Sequence, residues 1–136
     1  MEIITLDKDI KVICVQAKSF PDEIVEAHDR LHSLIPYSKE RRFFGLSRRN
    51  ENGRIIYNAA AEEIFPNEAE KFRCKTLVIK SGKYISIFIS DYLKDIQSID
   101  KAFKKLILQP DIDPEGYCVE WYVNEKDVRC MVRLWL

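Results

Sequence analysis

The chain has 136 residues, 46% of them hydrophobic and 32% charged, with 22 Lys+Arg against 22 Asp+Glu. That is one domain's worth of sequence with enough apolar material for its own core, and the even charge balance argues against a protein built to grip a nucleic-acid backbone, which needs a basic face. No basic-then-apolar leader opens the chain and no apolar run reaches the ~20 residues of a membrane span, so a cytoplasmic protein with no membrane partner is expected.

The first strand-like run is Ile10–Gln16. From Glu23 to Ile35 the apolar positions 24, 27, 31, 34 and 35 form one helical face, and Pro36 stops the helix. His28 and His32 stand four apart on it, but no Glu-bearing zinc motif surrounds them, so no metal is expected. Tyr37 follows, then a predicted hairpin of Phe43–Arg49 and Arg54–Ala61 around Asn50-Glu51-Asn52-Gly53. Residues 62–75 read as a loop or short helical turn, Thr76–Lys80 as a strand, Ser81-Gly82-Lys83 as a tight turn or bulge, and Tyr84–Ile89 as a strand. A second helix runs through Asp95–Ile107 before Pro110, and a second hairpin pairs Tyr117–Val123 with Val128–Leu134 around Asn124-Glu125-Lys126-Asp127. Cys14, Cys74, Cys118 and Cys130 lie far apart without CxxC spacing and read as buried free thiols.

The two halves echo each other. At a shift of 72 residues Ile24 matches Ile96, Leu31 matches Phe103, and Leu34-Ile35 matches Leu106-Ile107; the hairpins align at a shift of 74. The fold class expected is α+β: duplicated βαββ units with pseudo-twofold symmetry, about 1–65 and 76–136 of a single domain 1–136. The sheet is antiparallel, with the helices on one face and a ligand cleft on the other.

Glu120 stands out, because it interrupts the aromatic and β-branched run Tyr117-Cys118-Val119-Glu120-Trp121-Tyr122-Val123. A carboxylate there is costly to desolvate unless something pairs with it. With Glu125-Lys126 as a two-residue turn, cross-strand partners have numbers summing to 251 and Glu120 lies opposite Met131. Tyr117, Val119, Trp121 and Val123 then join Val128, Cys130, Val132 and Leu134 as an apolar floor for the helices. Glu120, Cys118 and Tyr122 share the other face with Arg129, Met131, Arg133 and Trp135. The same register gives Leu46 as the first-half counterpart of Glu120, with Phe44, Ile55 and Tyr57 on the corresponding face. Two readings stand open: a cross-strand ion pair with Arg129 or Arg133, or an acidic anchor for a cationic, aromatic or amphipathic ligand.

Ile79-Lys80-Ser81-Gly82-Lys83-Tyr84, the helix from Asp91 to Leu108, Gly116-Tyr117-Cys118-Val119-Glu120-Trp121-Tyr122 and the closing Val132-Arg133-Leu134 together resemble the GyrI-like effector-binding domain. That module is the ligand-binding part of AraC-type and MerR-type bacterial transcription regulators and also occurs alone. The resemblance covers the whole chain, with its specific signals in residues 79–134. It implies two βαββ halves with a ligand cleft between them and the strand glutamate, here Glu120, as acidic anchor. Tyr57, Phe44, Tyr37, Tyr122 and Met131 are the lining candidates by face assignment. With no helix-turn-helix ahead of Met1-Glu2, a stand-alone sensor or sequestering domain without direct nucleic-acid binding is expected, alone, as a homodimer or with a regulatory protein partner. It needs no cofactor. The alternatives are a small-molecule hydrolase with Glu120 as general base and a protein-interaction module of the gyrase-inhibitor type. The absence of a Ser-His-Asp or Cys-His constellation weighs against catalysis.

Overall fold

The computed structural model describes residues 1–135. Its strands are β1 (Glu2–Leu6), β2 (Ile10–Gln16), β3 (Phe43–Arg49), β4 (Ile55–Glu62), β5 (Lys75–Ile79), β6 (Gly82–Ile89), β7 (Cys118–Tyr122) and β8 (Val128–Arg133). They form one antiparallel sheet in the order β1-β6-β8-β7-β3-β4-β2-β5. The helices are α1 (Ile24–Leu34), the single turn α2 (Glu68–Lys71) and α3 (Gln97–Leu106), with a 3-10 turn at Tyr92–Lys94 before α3. The α+β class is as expected. The strand the sequence reading missed is β1, which pairs along β6 from Glu2↔Ser86 to Leu6↔Gly82.

The sheet curls into a half-barrel. One core cluster draws on every strand: Leu6, Ile10, Val12, Phe44, Leu46, Ala60, Ile79, Tyr84, Val119 and Met131, with Ile4 and Leu77 packed against it. β1 and β5 stand at opposite ends of the strand order, so only strong twist and coil can bring their side chains into a single cluster. This concave face is filled by the sheet's own residues.

The helices cover the convex face. α1 lays Ala27 and Leu31, with Ile35 just beyond its end, onto Ile13, Val15, Ala59 and Ala61 of β2 and β4. α3 lays Ala102 and Leu106 onto Val128, Cys130 and Val132 of β8, with Ile85 and Ile87 of β6 alongside. The apolar seams are narrower than periodicity predicts, since Leu34, Ile96 and Ile107 are exposed. In the strand order β7 and β3 lie between the strands under α3 and those under α1, which leaves a central strip of sheet between the two helices.

Both hairpins turn through five residues, from Arg49↔Ile55 and from Tyr122↔Val128. In each, an asparagine side chain organises the turn: Asn50 Oδ1 accepts the amides of Asn52 and Arg54, and Asn124 Oδ1 those of Lys126 and Asp127. The odd loop length corrects the expected register by one residue, so that Glu120 pairs with Cys130 and Met131 pairs with Val119. A one-residue slip exchanges the faces of a strand. Arg41 staples the following segment. Its guanidinium donates to both oxygens of Glu68 at 3.0 and 2.8 Å, and Glu68 Oε1 also accepts the amides of Ile64 and Phe65. Among the described residues no helix is long and apolar enough to cross a membrane.

Candidate ligand site

Glu120 sits in β7 on the convex face, in the strip between α1 and α3. This reverses the expected face, and the reason is physical. Tyr117, Val119 and Trp121 are indeed apolar, but they face the concave side, where Val119 is buried in the core and Tyr117 and Trp121 are half-buried against it, so apolarity alone does not mark the helix side. Cys118 and Tyr122 share the helix side with Glu120 and pack with the α3 cluster.

Two phenol hydroxyls converge on one carboxylate oxygen. Tyr57 Oη donates to Glu120 Oε1 at 2.8 Å and Tyr122 Oη donates to the same oxygen at 2.5 Å. Tyr57 reaches it from β4, across β3, because Gly45 stands directly opposite Glu120 with no side chain. A Cβ on Gly45 would lie 2.0 Å from Tyr57 Oη and 2.5 Å from Glu120 Oε1, so only glycine leaves room for this contact. From α1, His28 Nε2 lies 2.7 Å from Tyr57 Oη. Further rings close over the cluster. Phe20 stacks on Tyr57 at 6.1 Å between centroids, His28 stands edge-on to Tyr122 at 5.4 Å, and Tyr92 of the 3-10 turn packs on Tyr122 at 5.6 Å.

Among the described residues Glu120 takes part in no salt bridge and Oε2 accepts no hydrogen bond, although only 9% of the residue is exposed. The two arginines that offered the rival explanation lie on the other face and are otherwise engaged: Arg129 with Glu2 at 2.7 Å and with Ser86, Arg133 with Asp113 at 3.0 Å and with the Ser81 carbonyl. Burial raises the Glu120 carboxyl above its ordinary range, and the two phenols pull it only part of the way back. Burial, with the carboxylate's charge added, raises the Cys118 thiol to about 11 and the Cys130 thiol to about 12, and raises both phenols. Burial lowers the His28 imidazole to about 4, so it is neutral at pH 7.

Of the residues named from sequence, Glu120, Tyr57 and Tyr122 come together. Phe44 and Met131 do not, being fully buried in the concave core, as is Leu46. Tyr37 lies after α1 and is 78% exposed. Sequence reasoning missed Gly45, His28 as a partner of Tyr57, and Tyr92. Two open grooves also exist, of about 940 Å3 (lined by Arg48, Asn58, Lys75 and Tyr117 among others) and about 680 Å3 (lined by Arg42, Trp121 and Arg129 among others); neither includes Glu120. All four cysteines are free.

No family model matches the chain, and no curated relative matches it. Solved structures do. An integron cassette protein from the mobile metagenome of Vibrio cholerae has a TM-score of 0.72 at 11% identity, over 98% of this chain and 94% of that one. The SAV2435 protein, solved bound to tetraphenylphosphonium, has a TM-score of 0.70 at 12% identity, over 98% and 92%. A protein from Staphylococcus aureus MU50, described by its name as acting in bacterial transcription regulation, has a TM-score of 0.63 at 14% identity, over 97% of each chain. The likeness is one of fold.

Proposed function

We propose that the strip between α1 and α3 is a binding site for a small aromatic or amphipathic cation, with Glu120 as its anchor and Tyr57 and Tyr122 as its wall. One observation carries this reading: a buried carboxylate that, among the described residues, meets no cation, its Oε1 held by two phenols and its Oε2 taking no hydrogen bond. A desolvated carboxylate attracts a cation far more strongly than an exposed one, and the surrounding rings add cation–π contacts of roughly 0.5–2 kcal/mol. Phe20 and Tyr92, the exposed and half-buried rings packed on Tyr57 and Tyr122, stand where an aromatic ligand would add its own ring. The neighbour solved with tetraphenylphosphonium, a bulky aromatic cation, supports a ligand of that class.

The wider reading is a GyrI-like effector-binding domain acting as a stand-alone sensor or sequestering protein. The strand order supports the duplication behind it: exchanging β1–β4 for β5–β8 returns the same order read backwards. The repeated unit is then ββαββ, one strand longer than the sequence suggested. Hydrolysis with Glu120 as general base has less behind it, since the nearby histidine, His28, bonds to Tyr57 and not to the carboxylate. The gyrase-inhibitor reading rests on the family resemblance alone.

Calorimetric titration of wild type and Glu120→Gln with tetraphenylphosphonium and with neutral triphenylphosphine oxide tests the proposal. The expected result is a loss of at least about tenfold for the cation, about 1.4 kcal/mol, with little change for the neutral compound. Equal affinity of both proteins for the cation would refute the anchor.

A further inference from the structure

His28 and His32 are the chain's two histidines, and they part company in the fold. His32 is exposed on α1 and packs tilted against Phe43 with centroids 4.8 Å apart. His28 turns inward to Tyr57. Tyr57 Oη therefore has two partners at almost equal distance, His28 Nε2 at 2.7 Å and Glu120 Oε1 at 2.8 Å, but a phenol has only one proton to give. An ionised carboxylate can only accept. When Tyr57 gives its proton to Glu120, His28 must donate through Nε2–H. When Glu120 is protonated on Oε1 the chain can run the other way, with Tyr57 donating to a bare Nε2. The tautomer of His28 and the proton on Glu120 are thus linked through one hydroxyl.

We propose that His28 is a positioning residue of the ligand site: its Nε2–H turns the Tyr57 proton onto Glu120 Oε1 and so favours the ionised carboxylate, leaving Oε2 for a cation. This rests on the cation-binding reading above. The chain Nε2–H to Oη–H to Oε1 is polarised in one direction, and each bond strengthens the next in a low-dielectric site. A charge-assisted bond is the strongest kind it can end on. The other titratable groups facing the cluster are few. β7 contributes Cys118 and Tyr122, β8 Cys130, and the 3-10 turn Tyr92, all of which burial holds in the protonated form at neutral pH. On α1, His32 and Asp29 act on the imidazole with opposite sign, and β3 presents Gly45.

The test is the side-chain carboxyl 13C titration of Glu120 in wild type, His28→Leu and His28→Gln, with the 15N shifts of His28 read in wild type. A glutamine amide can place a donor near the Nε2 position; leucine keeps the bulk and removes the donor. The expected result is an Nε2–H tautomer in wild type, a Glu120 midpoint about one pH unit higher in His28→Leu, and return toward the wild-type midpoint in His28→Gln. Below the wild-type midpoint tetraphenylphosphonium affinity should then drop up to about tenfold in His28→Leu alone. An unchanged midpoint in His28→Leu, equal shifts in both variants, or an Nδ1–H tautomer with Glu120 ionised would overturn the proposal. The carbon titration is read without ligand, so a wild type that fails to bind tetraphenylphosphonium would remove the cation reading while the midpoints still decide what His28 does to Glu120.

Discussion

At the scale of single residues, the site is a carboxylate whose cost of burial is only partly offset. Two charge-assisted phenol bonds contribute, each of the order of 1.5–3 kcal/mol, but no ion pair does. This has a consequence for stability. Because burial raises the Glu120 carboxyl in the fold, its contribution is present below the unfolded value of 4.5 and is lost as the pH rises through the raised folded value. His28 has the opposite sign: its imidazole is lowered from 6.5 to about 4, so its contribution is present above 6.5 and is lost as the pH falls towards 4. Urea unfolding of Glu120→Gln from pH 4 to 8 should therefore show less loss of stability above about pH 4.5 than wild type, and a difference curve that is flat with pH would contradict it. Gly45→Ala probes the same cluster sterically. Its Cβ would overlap Tyr57 Oη and Glu120 Oε1, so at least about 1–3 kcal/mol of stability should be lost in denaturant unfolding. A neutral substitution would mean that the two hydroxyl contacts are not held as described.

At the scale of elements, the hairpins and the two main helices were legible, because alternation, helical period and the Asn-led turns are local signals. The faces were not. Register depended on whether the loop was a two-residue turn at Glu125-Lys126 or a five-residue one, and the Asn124 side chain, by accepting two amides, selects the longer. β1 was missed because an edge strand of five residues with one buried side chain carries little pattern. Nor could sequence pair Arg41 with Glu68. Removing either partner strands a buried charge, so Glu68→Ala should cost about 3–5 kcal/mol in unfolding experiments. The Glu68 carboxyl is held at about 2, first by Arg41, so its contribution is present above 4.5 and lost as the pH falls towards 2. Glu68→Ala should accordingly flatten the acid limb of the stability curve, and an acid limb identical to wild type would count against the staple.

At the scale of the whole molecule, the curl of the sheet decides where a ligand site can be. It buries the concave face in its own side chains and spends the helices on the convex one, leaving β3 and β7 to floor the strip between them. This is why a charged residue mid-strand was readable from sequence as an anomaly, while its surface was not: Phe44 and Met131 lie away from the helices as expected, but Glu120, Tyr57 and Tyr122 lie on the opposite, helix-covered side. A ligand binding only the folded chain stabilises it by mass action, about 2.7 kcal/mol at 100 times Kd. Tetraphenylphosphonium should therefore raise the melting temperature of wild type clearly more than that of Glu120→Gln at the same concentration. The most direct test of the account is the structure of the complex with tetraphenylphosphonium. The account predicts the cation between α1 and α3, against Tyr57 and Tyr122 and beside Glu120 Oε2. A cation seated instead in either open groove, among Arg48 and Tyr117 or beside Trp121, would contradict it.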